Sequence, residues 1–390
     1  PLVPKHVFEK MDDVTTDVNK NPVTSGPFTL DEKDFTSQNY VFRANPNYHE
    51  KGQPYIDGVR YTSYAGGTAT QDAIIAGEID WASNVFQDPE KQLKNAPVDY
   101  LTMPSSAQVL VTCSNAELGC TGPQTDVAVR KAIYYGMDRA QLNKLAFYGI
   151  FYDSSSSLTP TPENEEYLSP DVPESTVPEE ANVEKAKQLL EDAGYTMGSD
   201  GIYQKDGVRL SFEVPAISGW TESINGVDVA GQQLKKVGIE MKVKQVSANE
   251  MTELYSKGDF QIITENMWYS GSEPYDFYNT FYASDQTAKV GEKGVNGWAR
   301  YSNKTVDDAL DVINSTTDTN VKKEQYAIIQ QQVYDDMPYI PMMRTATMVE
   351  TSKEYTGWVT KDNVYAAPAS WNTWDTGIIL RQIKPVTDNK

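Results

Sequence analysis

The spacing of apolar side chains divides the chain into a strand-rich first part and a later part in which helices and strands alternate. The first 100 residues carry short apolar runs separated by Gly, Pro and Asn, which predicts strands joined by turns. After residue 182 the apolar spacing changes from every third or fourth residue to every second, as in "VRLSFEV" (208–214) and "GIEMKVKQV" (238–246). Helices that alternate with strands in this way predict an α/β domain.

Capping residues and apolar stripes mark the individual helices. The helix predicted near 126–138 begins at Asp126, and the helix that follows Asn182 ends before Gly194. The segment "TATQDAIIAGEIDWA" predicts a helix that ends at Gly77 and is followed by a short strand. A further helix is predicted near 222–237, and two amphipathic helices follow residue 300, with the stripes Val306, Leu310, Ile313 and Tyr326, Ile329, Val333.

Two stretches lack a regular period. Residues 152–181 form a connector rich in Ser, Pro and Glu, a composition that is compatible with disorder, although Tyr167 and Leu168 indicate attachment to a surface. The tail from 337 to 380 is rich in Tyr, Trp, Pro and β-branched residues, which predicts strands and loops.

Length and charge limit the class of protein. A chain of 390 residues is expected to form two or three domains. Its 34 basic and 55 acidic side chains give a net charge of −21, which repels phosphate backbones, so we expect no nucleic-acid partner. The sequence contains no apolar run of the roughly 18 residues that a membrane-spanning helix needs.

Cys113 and Cys120, in "CSNAELGC", are the two cysteines of the chain. They are either free thiols or a short local disulfide, and the polar, turn-like residues between them favour the disulfide. An oxidised pair would indicate an oxidising compartment.

Residues for catalysis, metals or cofactors are scarce. The two histidines, His6 and His49, have no Cys or acidic neighbour at the spacing of metal ligands, which argues against a zinc site and a Ser-His-Asp triad. No Gly-rich phosphate-binding motif occurs, and the acidic residues contain no pair in an informative setting. We therefore predict a protein without catalytic residues, metal or cofactor.

Aromatic residues in polar company are the most unusual feature. The segment "ENMWYSGSEPYDFYN" (265–279) places five aromatic rings around a Gly-Ser-Glu-Pro turn, and most of the tryptophans have Gly, Ser, Asn or Thr neighbours. A Trp face can cover the C–H face of a sugar or a peptide side chain while nearby amides satisfy the polar edge of the ligand. Packing at a domain interface is the alternative. The tryptophans are Trp81, Trp220, Trp268, Trp298, Trp358, Trp371 and Trp374.

Several segments, taken in order, resemble a known family. They are "VPKHVFEK", "NPVTSGPFTL", "VFRANPNYHEKGQPYIDGV", "AGEIDWA", "DVAVRKAIYYGMDR", "AKQLLEDAGY" and "IIQQQVYDDMPYIPM". This pattern resembles the family 5 extracellular solute-binding proteins of ABC importers, which include oligopeptide-, dipeptide-, nickel- and oligosaccharide-binding members. In that family a large N-terminal portion precedes "VPKHVFE", so we expect that portion, with its signal peptide and lipid-anchor cysteine, to be missing from this sequence.

The resemblance implies an α/β fold of the two-lobed periplasmic-binding-protein type (type II, large cluster with an extra subdomain), with mixed sheets and hinge-connected lobes that close on a ligand. Residues 1–115 would belong to the first lobe, 116–345 to the second, and 346–390 to a return segment. It also implies a monomer without enzymatic activity, located outside the cytoplasm as a cell-surface lipoprotein or periplasmic protein. Its partners would be the permease and ATPase subunits of an importer.

The resemblance also narrows the ligand. Peptide-binding members carry an Asp that pairs with the ligand's ammonium group shortly before an Asp-Pro or Glu-Pro turn, whereas Ser270 is the nearest match here, ahead of Glu273. A buried ammonium group without a counter-charge is costly, so we predict an oligosaccharide ligand. A peptide is the alternative, with Glu265 or Asp276 supplying the charge.

The predicted ligand contacts combine rings and hydrogen-bonding side chains. Trp268 and Trp298 are predicted as stacking platforms and Trp220 as a third. Arg300 is predicted to be a hydrogen-bonding partner of the ligand, and the alternative is that it is an ordinary surface residue or one on the approach to a helix. The remaining candidates are Tyr269, Asn266, Ser270, Asn296 and, from the first lobe, Asn84.

Overall fold

The computed structural model describes residues 3–14, 17, 19, 21–64, 66–269, 271–362, 368–372 and 375–386. Within them the chain forms two compact units, Pro1–Met103 with Thr347–Lys390 (unit 1) and Pro104–Ala346 (unit 2). The chain therefore passes from one unit to the other near residue 103 and returns near residue 346. The division into functional lobes at 115 and 345 stays a prediction.

The elements are as follows in chain order. The helices are α1 (Lys5–Phe8), α2 (Gly67–Ala76), α3 (Pro89–Gln92), α4 (Val127–Gly136), α5 (Arg139–Ala146), α6 (Val183–Asp192), α7 (Thr221–Val237), α8 (Ala248–Lys257), α9 (Tyr275–Tyr282), α10 (Lys304–Ser315), α11 (Thr319–Asp336) and α12 (Thr376–Gln382). The strands are β1 (Phe28–Phe35), β2 (Asn39–Ala44), β3 (Gly58–Thr62), β4 (Trp81–Ala82), β5 (Val98–Thr112), β6 (Thr196–Met197), β7 (Tyr203–Lys205), β8 (Val208–Arg209), β9 (Ser211–Ile217), β10 (Glu240–Val246), β11 (Ile262–Met267), β12 (Tyr339–Ser352), β13 (Tyr355–Thr356) and β14 (Lys384–Pro385).

Unit 1 is built from short antiparallel pairings. Strands β1, β2 and β3 form one sheet, β13 pairs with β14, and the end of β12 pairs with β4, where Glu350 lies opposite Ala82. Its buried apolar side chains form two small clusters, one around Ile74, Phe86 and Val98 and the other around Ile379 and neighbouring residues of α12.

Unit 2 contains the predicted strand–helix–strand order. Strands β9 and β10 are parallel neighbours joined through α7, with Met241 opposite Phe212, so the α/β assignment from sequence is confirmed. Strand β11 runs antiparallel to the second half of β5 and places Asn266 opposite Gln108. This pair positions the aromatic segment that follows β11.

The predicted helix ends are confirmed by their hydrogen bonds. The Asp126 carboxylate accepts from the Ala128 N–H, and the Asn182 side chain accepts from the Lys185 N–H. Gly77 ends α2 with φ of 74°, a left-handed conformation that glycine adopts without steric cost.

The Ser-rich connector is folded and buried where its composition was compatible with disorder. Ser154, Ser155, Ser156 and Ser157 are each 3 % exposed or less, and the hydroxyl groups of this segment bond within it and to the Tyr278 hydroxyl group through Thr159. The expected attachment at Tyr167 is present, because its ring lies in the apolar cluster of unit 2 that contains Ile263 and Met267 of β11. Internal hydrogen bonds thus replace the apolar periodicity that the connector lacks.

Cys113 and Cys120 form a disulfide with a Cα–Cα distance of 5.4 Å. The bridge closes a turn next to the end of β5, where the Ser114 hydroxyl group donates to the Ala299 carbonyl oxygen. This hydrogen bond connects the start of the disulfide loop to the segment that contains Trp298.

Candidate ligand-binding site

Trp268 lies directly after β11 and presents its ring to solvent, with 42 % of the residue exposed. The ring of Phe281 lies 4.9 Å from it and the ring of Trp298 5.6 Å, both at steep interplanar angles of 67° and 65°. Because two packed rings fix its edge, the exposed part of the indole is held in one orientation. Trp268 therefore has the geometry of a stacking platform.

Trp298 lies beneath this platform. It is only 4 % exposed and contacts Tyr255 and Phe281, with ring centroids 4.9 and 5.1 Å away. Its indole Nε1–H is buried without an acceptor among the described residues. In this conformation Trp298 supports Trp268 and offers no open face of its own.

Asn266 brings an unsatisfied polar atom to the same strand end. Its side-chain Oδ1 is buried and receives no hydrogen bond from the described residues. A buried amide oxygen without a donor costs about 1–3 kcal/mol, so a ligand hydroxyl or N–H group would be stabilised there. The opposite residue, Gln108, donates instead to the Ser223 hydroxyl group at 3.0 Å.

The hydrogen bond between Gln108 and Ser223 also determines where Trp220 lies. Ser223 lies in the first turn of α7, and Trp220 is the residue directly before the helix. Trp220 is 44 % exposed. The hydrogen bond from Gln108 thus brings the start of α7, with Trp220, to the part of β5 that pairs with Asn266.

The loop after Trp268 is anchored by side chains of neighbouring elements. The Tyr269 ring lies 4.8 Å from Phe277, and the Arg344 guanidinium carbon lies 5.0 Å from the Tyr269 ring centroid. The Glu273 carboxylate is bound by Lys322 Nζ at 2.8 Å and by the Tyr326 hydroxyl group at 3.3 Å, so it already has a counter-charge. Ser270 lies outside the described residues, as does Trp374.

Asp276 has an exposed carboxylate close to this loop. It occupies the first turn of α9, and a Cβ atom added to Gly271 would lie 2.0 Å from its Oδ2. Gly271 has φ of +80°, so the loop passes close to the carboxylate in a left-handed conformation. Asp276 forms no ion pair with any residue that the structure describes.

Glu265 is buried on β11, at 8 % exposure, among apolar strand neighbours. Desolvation raises the pKa of its carboxyl group to about 7, and the hydrogen bond from the Asn266 N–H opposes that rise only in part. Near neutral pH this group is therefore partly protonated, which makes it a weak counter-charge for a cationic ligand.

Arg300 and Asn296 lie in the loop that leads to α10. Arg300 has no exposed surface; its guanidinium group donates to the carbonyl oxygens of Ser256 at 2.7 Å and Glu292 at 3.1 Å, and burial lowers its pKa. We therefore assign Arg300 to holding this loop and leave it out of the ligand contacts that we propose. Asn296 is half-buried, and its backbone N–H donates to the Gln286 carbonyl oxygen.

Asn84 lies in unit 1 beside a buried acid that the sequence analysis missed. Its Nδ2 donates to the Gly67 carbonyl oxygen, and its backbone N–H donates to Glu350 Oε2 at 3.1 Å. Glu350 is 1 % exposed, its Oε1 has no described partner, and burial raises its pKa to about 8. The sequence signal that could have indicated this buried acid is that Glu350 is the one acidic residue in the strand "YIPMMRTATMVETS".

The described part of the chain offers no group of three or more His, Cys, Asp or Glu side chains that could hold a metal ion. Among the helices of the described residues, none is long and apolar enough to cross a membrane.

Curated relatives match most of this chain. The oligopeptide-binding protein AppA of Bacillus subtilis is 28 % identical over 350 residues, which are 87 % of this chain and 60 % of that protein. The nickel-binding periplasmic protein of Escherichia coli is 23 % identical over 379 residues, covering 94 % of this chain and 66 % of the relative. The chain thus spans about three fifths to two thirds of the length of these two relatives.

Solved structures match the fold. A periplasmic oligopeptide-binding protein of an ABC transporter from Thermotoga maritima aligns with a TM-score of 0.86 at 21 % identity, covering 99 % of this chain and 74 % of that one. The same Thermotoga protein with mannohexaose bound aligns with a TM-score of 0.83 at 22 % identity and the same coverage. At this identity the likeness shows the fold, which confirms the predicted α/β architecture of periplasmic binding proteins.

The family model for bacterial extracellular solute-binding proteins, family 5 Middle, matches residues 1–289. This match covers well over half of the chain and agrees with the relatives and with the fold. The chain belongs to the family 5 bacterial extracellular solute-binding proteins.

Proposed function

We propose that this protein captures an oligosaccharide outside the cytoplasm and delivers it to the permease of an ABC importer, without chemical change to the ligand. The single observation that carries the choice of ligand is Trp268, a half-exposed indole fixed by Phe281 and Trp298. A rigid aromatic face binds a sugar ring at low cost in conformational entropy.

The polar groups around the platform support a neutral ligand. Asn266 Oδ1 is a buried acceptor that needs a donor, and a sugar hydroxyl group can provide one. The carboxylate of Glu273 is already paired with Lys322, so the turn offers no free acid at that position for an ammonium group. The solved relative that holds mannohexaose supports the view that this fold accepts a hexasaccharide.

The experiment that tests the proposal is a thermal-shift screen of neutral oligosaccharides against short peptides. Mannohexaose and related hexasaccharides are the first set, and unmodified tri- to nonapeptides are the second. We expect a saccharide to raise the melting temperature, because a ligand that binds the folded state stabilises it by mass action. Stabilisation by peptides alone would contradict the saccharide assignment, and release of shorter products would contradict a pure binding function.

Peptide binding is the second candidate, and Asp276 is the observation that favours it. Its carboxylate is exposed and lies close to Gly271, the residue after Ser270, which the family resemblance matches to the Asp of peptide-binding members. An ammonium group paired with this acid would gain a charge-assisted hydrogen bond. The curated relative AppA is named as an oligopeptide-binding protein.

Asp276→Asn separates the two candidates. For a neutral oligosaccharide we expect the dissociation constant to change by less than about twofold, because the amide keeps the shape and no charge pair is lost. For a peptide held by its N-terminal ammonium group the same change removes one charged partner and should cost about 1.5–3 kcal/mol, which is at least tenfold in affinity. Isothermal titration with both ligand types measures the difference, and Asp285→Asn, at an exposed acid in the same unit, is the control.

We further propose that the disulfide reflects an oxidising, extracytoplasmic location. We also propose that the protein is attached to the cell surface through a lipid anchor and that it is a monomer. The permease and ATPase subunits of the importer would be its partners.

A further inference from the structure

Tyr148 has a strained backbone conformation in the loop that follows α5. Its φ of 58° lies in the left-handed region, which a bulky side chain enters at a steric cost. Gly149, which meets no such cost, follows directly with φ of 77°. Strain of this kind persists only where the surrounding structure holds it, and it is concentrated at functional sites. The conformation therefore points to a function for the Tyr148 side chain.

Asn143 of α5 holds the loop on both sides of Tyr148. Its side-chain Nδ2 donates to the Phe151 carbonyl oxygen at 2.9 Å, and its Oδ1 accepts from the Phe151 N–H at 3.1 Å. Its backbone carbonyl oxygen accepts from the N–H groups of Phe147 and Gly149. The rings of Phe147 and Phe151 stack with their centroids 4.3 Å apart. The backbone that carries Tyr148 is thus fixed before any ligand binds.

This loop packs against the first half of α7. A Cβ atom added to Gly226 would lie 3.0 Å from Cζ of the Phe147 ring, so this ring rests directly on the helix. Burial raises the pKa of the Tyr148 hydroxyl group, and the negative charge of Glu222, in the first turn of α7, raises it further. Trp220, directly before that turn, is 44 % exposed. Two aromatic side chains, Tyr148 and Trp220, therefore lie at the start of this helix.

Core packing does not account for the conformation of Tyr148. Its neighbours Phe147 and Phe151 belong to the apolar core cluster that also contains Val227 of α7, whereas Tyr148 is half-buried and lies outside that cluster. Within the part of the chain that the structure describes, its ring contacts no other aromatic ring and its hydroxyl group has no hydrogen-bond partner. The ring and the hydroxyl group are thus available to a ligand.

We propose that Tyr148 and Trp220 form a second saccharide subsite at the start of α7, which extends the site that begins at Trp268. Gln108 provides the structural link between the two subsites. It donates a hydrogen bond to Ser223 in the first turn of α7, and it belongs to β5, which pairs with the strand that ends just before Trp268. This inference rests on the proposed function and adds that the affinity for an oligosaccharide depends on its length.

Two separate aromatic subsites have a consequence for short ligands. A rigid ring binds a sugar by stacking, and each subsite takes its own sugar unit. The subsite at Trp268 also contains Asn266 Oδ1, a buried acceptor that a sugar hydroxyl group can satisfy. A short saccharide is therefore expected to occupy the Trp268 subsite, and only a longer one also reaches Tyr148.

The test measures affinity against saccharide length. The probes are mannohexaose and its shorter homologues down to mannobiose, or the equivalent series of another hexasaccharide that stabilises the protein in the thermal-shift screen. Isothermal titration compares the wild-type protein with Tyr148→Gly, Tyr148→Phe and Trp220→Ala. Asp206→Gly is the matched control, because Asp206 is an exposed residue of the same unit with a left-handed φ of 53°. Both glycine variants relieve strain of the same kind, and only one removes a ring.

We expect the wild-type protein to bind the hexasaccharide at least tenfold more tightly than the disaccharide. Tyr148→Gly and Trp220→Ala should each weaken hexasaccharide binding at least fivefold and leave the disaccharide within twofold, because the short ligand does not reach this subsite. Tyr148→Phe should stay within twofold at every length, because the ring remains. Asp206→Gly should also stay within twofold, since relief of strain alone removes no ligand contact.

Equal losses for long and short saccharides in Tyr148→Gly would overturn the inference, as would an unchanged affinity for the hexasaccharide. A Tyr148→Phe protein that loses as much as the glycine variant would contradict stacking. Tyr148→Asn, which tolerates the left-handed conformation, replaces the glycine variant if that protein does not fold. If no saccharide of any length binds the wild-type protein, the proposed function fails and this inference fails with it, whereas saccharide binding that is independent of Tyr148 contradicts this inference alone.

Discussion

Replacement of Trp268 by Ala is expected to weaken oligosaccharide binding by about 2 kcal/mol, which corresponds to roughly 30-fold in the dissociation constant. The indole is half-exposed and fixed by Phe281 and Trp298, so its free face is available to a sugar ring without further ordering. Alanine removes that face and leaves the neighbouring polar groups in place. Isothermal titration with the saccharide found in the thermal-shift screen measures the loss.

Trp371→Ala is the matched control, because Trp371 is an even more exposed indole, at 63 %, and lies in unit 1. Its removal should leave the affinity within twofold. Unfolding curves of both variants show whether the aromatic cluster of unit 2 remains intact. A Trp268→Ala protein that is folded and binds saccharide like the wild type would contradict the platform.

Local features of this fold could be predicted from the sequence because they depend on neighbours in the chain. The caps at Asp126 and Asn182 act over two or three residues, and the apolar period of the strand at 211–217 is set by its own residues. These signals predicted the α/β class, which the fold confirms, whereas the stacking role of Trp268 stays a prediction.

Contacts between distant residues decide the rest, and single-sequence patterns do not contain them. The Arg344 guanidinium group donates to the Glu163 carboxylate although the two residues are 181 positions apart, and neither stands in a motif. The burial of Arg300 depends on carbonyl oxygens of the segments around Ser256 and Glu292. The serines at 154–157 have the composition of a flexible linker, and only their hydrogen bonds in the folded unit explain their burial.

Glu350→Gln is expected to raise the free energy of unfolding by about 3 kcal/mol at pH 7 and by almost nothing at pH 4.5. Burial raises the pKa of Glu350 to about 8 in the folded protein, against an ordinary value of 4.5. At a pH between 4.5 and 8, the carboxyl group of Glu350 keeps its proton in the folded protein and has lost it in the unfolded chain. The stability that this group contributes is therefore complete below pH 4.5 and falls by about 1.4 kcal/mol per pH unit until pH 8.

Glutamine does not titrate, and it preserves the contact at this position. Its side-chain oxygen can still accept from the Asn84 N–H, and its amide nitrogen replaces the protonated oxygen that has no described partner. The advantage of the variant should thus grow steadily from pH 4.5 to 8. Urea unfolding of both proteins at several pH values in this range measures it.

Glu240→Gln provides a control of opposite sign. The hydrogen bond from Lys242 is the main cause that lowers the pKa of Glu240 to about 2, so its contribution is complete above the ordinary value of 4.5 and is lost as the pH falls toward 2. The Glu240→Gln protein should therefore be less stable than the wild type by a constant amount between pH 5 and 8. If the Glu350→Gln protein exceeded the wild type in free energy of unfolding by the same amount at every pH between 5 and 8, Glu350 would not be protonated in the folded protein. Only a group that titrates makes this difference depend on pH.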